Sequence, residues 1–128
     1  MQPFKIDRTI YKGRSKSEGR LDKEMRVYNL LEKLNIAYER IDHDPTMSVD
    51  SCEEVEEILD ITLGSVSVLG LMNDIHNNVQ LIVDKDVLAG DYIGCHPCIN
   101  TSSLKISTRD IFEKFIPYVK HEVIYIEI

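Results

Sequence analysis

No stretch of the chain approaches the run of about 18 apolar residues that a membrane-spanning helix requires. The first residues, Met1-Gln2-Pro3-Phe4-Lys5, lack the apolar centre of a secretory signal. No membrane partner is expected. Cysteine is scarce and odd in number, with only Cys52, Cys95 and Cys98. That count argues against a disulfide scaffold and for reduced thiols in the cytoplasm. Neither the Walker nor the dinucleotide-binding glycine fingerprint occurs. Repeats, heptads, low-complexity tracts and linkers are missing too, so one domain is expected.

Positive charge is in short supply beyond the N-terminal third. The chain holds 22 acidic and 15 basic residues, for a net charge of -7. Residues 1–40 carry ten Lys or Arg against six Asp or Glu, whereas residues 41–128 carry five against sixteen. A general nucleic-acid binder needs a broad basic face, and the acidic body speaks against DNA as a partner. Only residues 1–20 form a basic arm, with Lys12, Arg14, Lys16 and Arg20 as candidate RNA contacts. The simpler reading of that arm is an ordinary solvated segment.

What is present is a globular composition, 43% apolar and 29% charged, sufficient for one core. From Leu21 to Leu34, Met25, Tyr28, Leu31 and Leu34 recur at helical spacing, joined by Val27 and Leu30. Lys23, Glu24, Glu32 and Lys33 are expected on the wet side. Asn35 is placed near the C-cap. Ile36, Tyr38 and Ile41 predict a short half-buried strand. After Pro45, Ser48 or Asp50 can cap a helix to about Leu59, with Cys52, Val55 and Ile58 on its apolar side. Ile61, Leu63, Val66 and Val68 read as strand. Val79 to Val83 reads as a strand covered on both faces, because Ile82 breaks the alternation. Tyr92–Cys95 and Ser103–Ile106 add two strands. Ser107 or Thr108 then caps a helix carrying Ile111, Phe112 and Phe115 and ending near Pro117. The last eight residues predict a strand with Ile124, Ile126 and Ile128 inward. The fold class is mixed α/β, with helices on a mixed sheet, residues 1–20 an arm and residues 21–128 one domain.

Two segments carry the sharpest chemistry: Gly64-Ser65-Val66-Ser67-Val68-Leu69-Gly70 and Gly94-Cys95-His96-Pro97-Cys98-Ile99-Asn100-Thr101. Glycines near strand ends let backbone approach a ligand, and N–H groups there can meet an oxyanion. Ser65, Ser67 and Thr101 can donate hydrogen bonds, and His96 can donate or accept near neutral pH. Tight connections with satisfied side chains explain the same residues without a ligand. Cys95 and Cys98 form one Cys-x-x-Cys pair, half of a structural zinc site, and no helix follows as a redox pair would need. Packed thiols are the expectation, with no metal and no cofactor. His43 beside Asp44 reads as a surface pair, although a loop histidine could line a pocket.

Together with Tyr11-Lys12-Gly13-Arg14, Tyr38 to Pro45 and Val79 to Lys85, these segments make nearly the whole chain resemble the YbaK/prolyl-tRNA editing superfamily. The resemblance implies helices packed on a mixed, partly barrel-like β-sheet. It also implies hydrolysis of mischarged aminoacyl-tRNA, typically alanine on proline tRNA, with the tRNA acceptor end as partner and a second copy of the chain as a possible one. Gly64 to Val68 stands where the family has its glycine-to-proline pocket motif, Val68 replacing the proline, and His96 matches the pocket histidine. By resemblance, Gly64 and His96 serve catalysis, while Ser65, Val66, Ser67, Val68, Gly94, Asn100 and Thr101 shape the aminoacyl pocket. One departure is large. Family members carry a Lys-Asn motif between the helix ending near Leu59 and the glycine segment, yet here Leu59-Asp60-Ile61 runs across the join and no Lys-Asn pair occurs. A silent relative that binds RNA or protein is therefore the alternative to a hydrolase.

Overall fold

A computed structural model describes residues 5–14, 19–44, 58–61 and 67–127. The expected helix is α1 (Asp22–Lys33). Val27, Tyr28, Leu30 and Leu31 enter the core as the spacing requires, but Glu24, expected on the wet side, is 1% exposed. It lies four residues before Tyr28 and seven before Leu31, so it continues the buried stripe. The helix ends in a Schellman motif. Asn35 takes the left-handed conformation (φ 57°), its N–H bonds the Glu32 carbonyl, and the Ile36 N–H bonds the Leu31 carbonyl.

The chain then enters β2 (Tyr38–Asp42), the strand foreseen, with Arg40 in place of Ile41 on its inward face. Tyr38 and Arg40 are buried while Ile41 is 37% exposed. Tyr38 stacks on Tyr28 with ring centroids 5.5 Å apart. Residues of the N-terminal arm are stitched to this strand: β1 (Tyr11–Lys12) pairs with it antiparallel, and Ile6 bridges His43.

Two sheets result. β2 pairs with β5 (Ser102–Ser107), which pairs with β4 (Tyr92–Cys95), giving an antiparallel sheet of order β1-β2-β5-β4. β3 (Leu81–Asp84) and β6 (Val123–Ile126) form a separate parallel pair. The partly barrel-like sheet implied by resemblance is thus corrected. Closing a barrel needs a continuous hydrogen-bonded circuit, whereas β1 and β4 end the larger sheet as open edges and β3 pairs with β6 instead.

Other expectations change for physical reasons. Ile82 is 56% exposed, so β3 is covered on one face only. Ile124 and Ile126 are also exposed, and Val123 is the β6 residue that packs on the core. Val68 begins a 3-10 turn (Val68–Asn73) instead of ending a strand. Within that turn Gly70 serves packing: a Cβ there would stand 3.1 Å from Leu59 Cβ. The C-terminal helical run comprises α2 (Thr108–Asp110), a π-helical stretch (Ile111–Phe115) and α3 (Ile116–Val119). Pro117 lacks an N–H and its ring crowds the carbonyl four residues back, which the wider π turn relieves. Ile111, Phe115 and Ile116 all enter the core. The predicted helix from Ser48 or Asp50 lies outside the described residues, apart from its last residues.

Candidate functional site

The end of β2 and the loop before β5 meet beside the N-terminal turn of α1. Between them lies a cavity of about 370 Å³, whose walls include Arg20, Glu24, Asp42, His43, Asn100 and Thr101. Arg20 is the hub of its polar side. Nη1 donates to Glu24 Oε2 at 3.0 Å and to Ser102 Oγ at 3.1 Å, while Nη2 donates to Asp42 Oδ2 at 3.0 Å. Ser102 Oγ donates to Asp42 Oδ1 at 2.6 Å, and Arg40 pairs with the same carboxylate. Burial alone would raise the Asp42 carboxyl, but hydrogen bonds from Arg20, Arg40 and Ser102 hold it well below the usual carboxylate range. Arg40 in turn lies over the Tyr11 ring, 4.4 Å from its centroid. The Tyr28 hydroxyl donates to Glu24 Oε2, and burial pushes that phenol far above its ordinary value.

Two histidines flank the cavity. His43 Nδ1 sits 2.7 Å from the Asp44 carbonyl, which can only accept, so the neutral ring carries its hydrogen there. His43 Nε2 then accepts from Ser103 Oγ at 2.8 Å. By the same logic His96 Nδ1 donates to the Ser102 carbonyl at 3.1 Å. That leaves the lone pair of His96 on Nε2, which bonds to none of the described residues. The rings meet edge to face with centroids 6.3 Å apart.

The sequence candidates separate into three groups. Asn100 and Thr101 stand in the cavity wall, His96 lies beside it, and Ser67 Oγ donates to the His96 carbonyl at 2.8 Å. The end of one glycine-rich segment therefore reaches the other. Val68 instead lines a separate apolar cavity with Leu81, Ile93 and Phe112, and Gly94 on β4 faces open space. Gly64, Ser65, Val66 and Lys16 lie outside the described residues. Of the basic candidates, Lys12 is exposed on β1. Arg14 is held by Glu32, with Nε 2.7 Å from Oε1 and Nη2 2.6 Å from Oε2, and also bonds Asn29. Arg20 is engaged in the cavity network.

Cys95 and Cys98 are buried, and burial pushes both thiols up to about 12. Burial of this kind disfavours the thiolate that a redox nucleophile needs. Among the described residues no three His, Cys, Asp or Glu side chains are placed to share a metal ion. No described helix is long and apolar enough to cross a membrane.

Sequence reasoning missed Glu24 and Asp42 as wall residues; His43, read as a surface pair or a pocket-lining loop histidine, lines the cavity. The Glu24-Tyr28-Leu31 spacing was an available signal for the first. Nothing local marked Asp42, because its partners come from distant parts of the chain. Residues 32–114 match the sequence model of the aminoacyl-tRNA editing domain. Over 70 residues the chain is 29% identical to the prolyl-tRNA editing protein ProX of Acetoanaerobium sticklandii, an alignment covering 55% of this chain and 42% of that protein. The matched region thus spans less than half of that relative's length.

Proposed function

The chain belongs to the aminoacyl-tRNA editing domain family, and from that membership we propose that it hydrolyses mischarged aminoacyl-tRNA, with alanyl-tRNA(Pro) as substrate. The observation that carries this reading is the cavity where Asn100, Thr101 and His43 converge beside His96. Its volume, about 370 Å³, is near the small end for ligand pockets, suiting a short aminoacyl group and part of a ribose. Bulkier side chains would be rejected by overlap and misalignment, without a metal or cofactor.

The chemistry asks little of such a site. An aminoacyl ester is already activated, so holding it beside a water or ribose hydroxyl and stabilising the oxyanion suffices. His96, its Nδ1 fixed on the Ser102 carbonyl, presents Nε2 as the proton acceptor for the attacking oxygen. Asn100 and Thr101 bring amide and hydroxyl donors to the ester carbonyl. The exposed Lys12 is the remaining described basic candidate for the tRNA backbone.

The test is release of alanine from alanyl-tRNA(Pro) by the full chain, against spontaneous ester hydrolysis. Acceleration is expected, falling about 100-fold or more in His96→Ala, the range for loss of a general base. One observation favours a second reading. The sequence has no Lys-Asn pair, and no lysine lines the described cavity wall. If release never exceeds the spontaneous rate, the hydrolase reading fails and a silent relative that binds RNA or protein takes its place.

A further inference from the structure

Glu24 presents an asymmetry that the polar network does not explain. The residue is 1% exposed and forms part of the cavity wall. Its Oε2 is fully used, accepting from Arg20 Nη1 and the Tyr28 hydroxyl. Its Oε1 is buried and has no hydrogen-bond partner among the described residues. A buried carboxylate oxygen without a donor is unfavourable, and native proteins rarely leave one so. The other wall carboxylate is different. Asp42 accepts from Arg20, Arg40 and Ser102, so both its oxygens are engaged. Among the described wall residues, Glu24 is therefore the carboxylate with an acceptor to spare.

Position narrows what would fill it. Glu24 sits in the first turn of α1, where the helix dipole favours the ionised carboxylate. His43, Asn100 and Thr101 line the same cavity and suit a carbonyl or ester. A ligand bridging these walls carries a small cationic hydrogen-bond donor at one end and an ester at the other. An aminoacyl ester has that layout, with its α-ammonium beside its carbonyl. A bare metal ion does not fit, because no three ligating side chains gather among the described residues.

We infer that Glu24 is the receptor for the α-ammonium group of the aminoacyl moiety, with Oε1 accepting its hydrogen bond and the ester directed toward His43, Asn100 and Thr101. The inference rests on reading the cavity as an aminoacyl site. It adds that recognition begins at the amino group, so acylated ends lacking a free amine are discriminated against.

Titration calorimetry of the full chain with two hydrolysis-resistant amides tests it. One is 3′-deoxy-3′-(L-alanylamino)adenosine; the other is the propionylamino compound, identical except for the missing amine. At pH 6.5 the amine-bearing compound is expected to bind about tenfold tighter or more, as a charge-assisted hydrogen bond provides. That advantage should fade as pH rises past the amine's own pKa of about 8, and should vanish in Glu24→Gln. Equal binding of both compounds by the unaltered protein, or an advantage that survives in Glu24→Gln, overturns the inference and leaves the aminoacyl site standing. Failure of both compounds to bind removes that site and the inference together. Should Glu24→Gln fold poorly, the pH dependence of the unaltered protein decides alone.

Discussion

Asn35 shows how one side chain sets the spacing between two working elements. It closes α1 in the left-handed region at φ 57°, and Ile36 immediately follows into the core at 3% exposure. The turn thus fixes where β2 begins, and with it the positions of Arg40 and Asp42 relative to Arg20 and Glu24. Asn tolerates this conformation through its short polar side chain, whereas a β-branched residue does not. Asn35→Val is expected to cost about 1–2 kcal/mol, while Asn35→Gly should stay within a few tenths. Urea midpoints of the two variants check this. Equal loss in both would show that the Asn35 side chain, not the backbone conformation, matters. This position was legible in the sequence because a cap depends on residues only a few places away.

Asp74 and His121 join elements in the same way that Arg20 joins the cavity walls. Asp74 closes the Val68–Asn73 turn, and His121 precedes β6. His121 Nε2 meets Asp74 Oδ2 at 3.0 Å and its Nδ1 meets the Val119 carbonyl at 3.0 Å. Both partners can accept, so His121 can donate through either ring nitrogen. Burial would raise the Asp74 carboxyl, but the bond from His121 and the N–H groups of Asn78 and Val79 outweigh it and hold it below the usual range. A carboxyl depressed on folding adds stability that is present above the unfolded value of about 3.9 and is lost as pH falls through the folded one. Asp42 acts in the same direction. Unfolding midpoints should therefore drop on the acid side of pH 5. Asp74→Asn should lower stability at pH 7 by about 3–5 kcal/mol, as for a broken buried pair, and should flatten the acid slope. An unchanged slope in Asp74→Asn would refute the clasp.

These joints also mark where the sequence stopped being readable. Tyr92–Cys95 and the α1 stripe were visible because apolar periodicity reports burial directly. The burial of Arg40 and the half-burial of Asp42 in β2 were not, since these side chains leave water only when satisfied by partners such as Arg20, 22 residues before Asp42, and Ser102, 60 residues after it. In β6 the apolar alternation pointed to the wrong face, because a two-stranded parallel pair leaves one side uncovered. At the cavity, Thr101 and His96 were visible from the loop that follows Gly94, and Asn100 from the family resemblance. Glu24 was hidden within an otherwise ordinary amphipathic helix.

Across the whole molecule, the arginines of the first 40 residues are largely held in ion pairs. Arg14 is held by Glu32, Arg20 by Glu24 and Asp42, Arg26 by Asp60, and Arg40 by Asp42. Of the arm's candidate RNA contacts, Arg14 and Arg20 are thus committed to acidic groups of the body, in a chain of net charge -7. Single-stranded nucleic acid releases counterions in proportion to the phosphates neutralised, with a slope of log K on log salt of about -0.7 per contact. If recognition is centred on the aminoacyl end with Lys12 as a peripheral contact, the slope for a short aminoacylated acceptor strand should be about -2 or shallower. Lys12→Ala should make it shallower by less than one, and Arg14→Ala should leave it unchanged because that guanidinium is already committed to Glu32. Fluorescence anisotropy across a salt series measures all three. A slope steeper than about -4, or a clear change in Arg14→Ala, would mean that the internal ion pairs open on binding and that the arm grips the backbone after all.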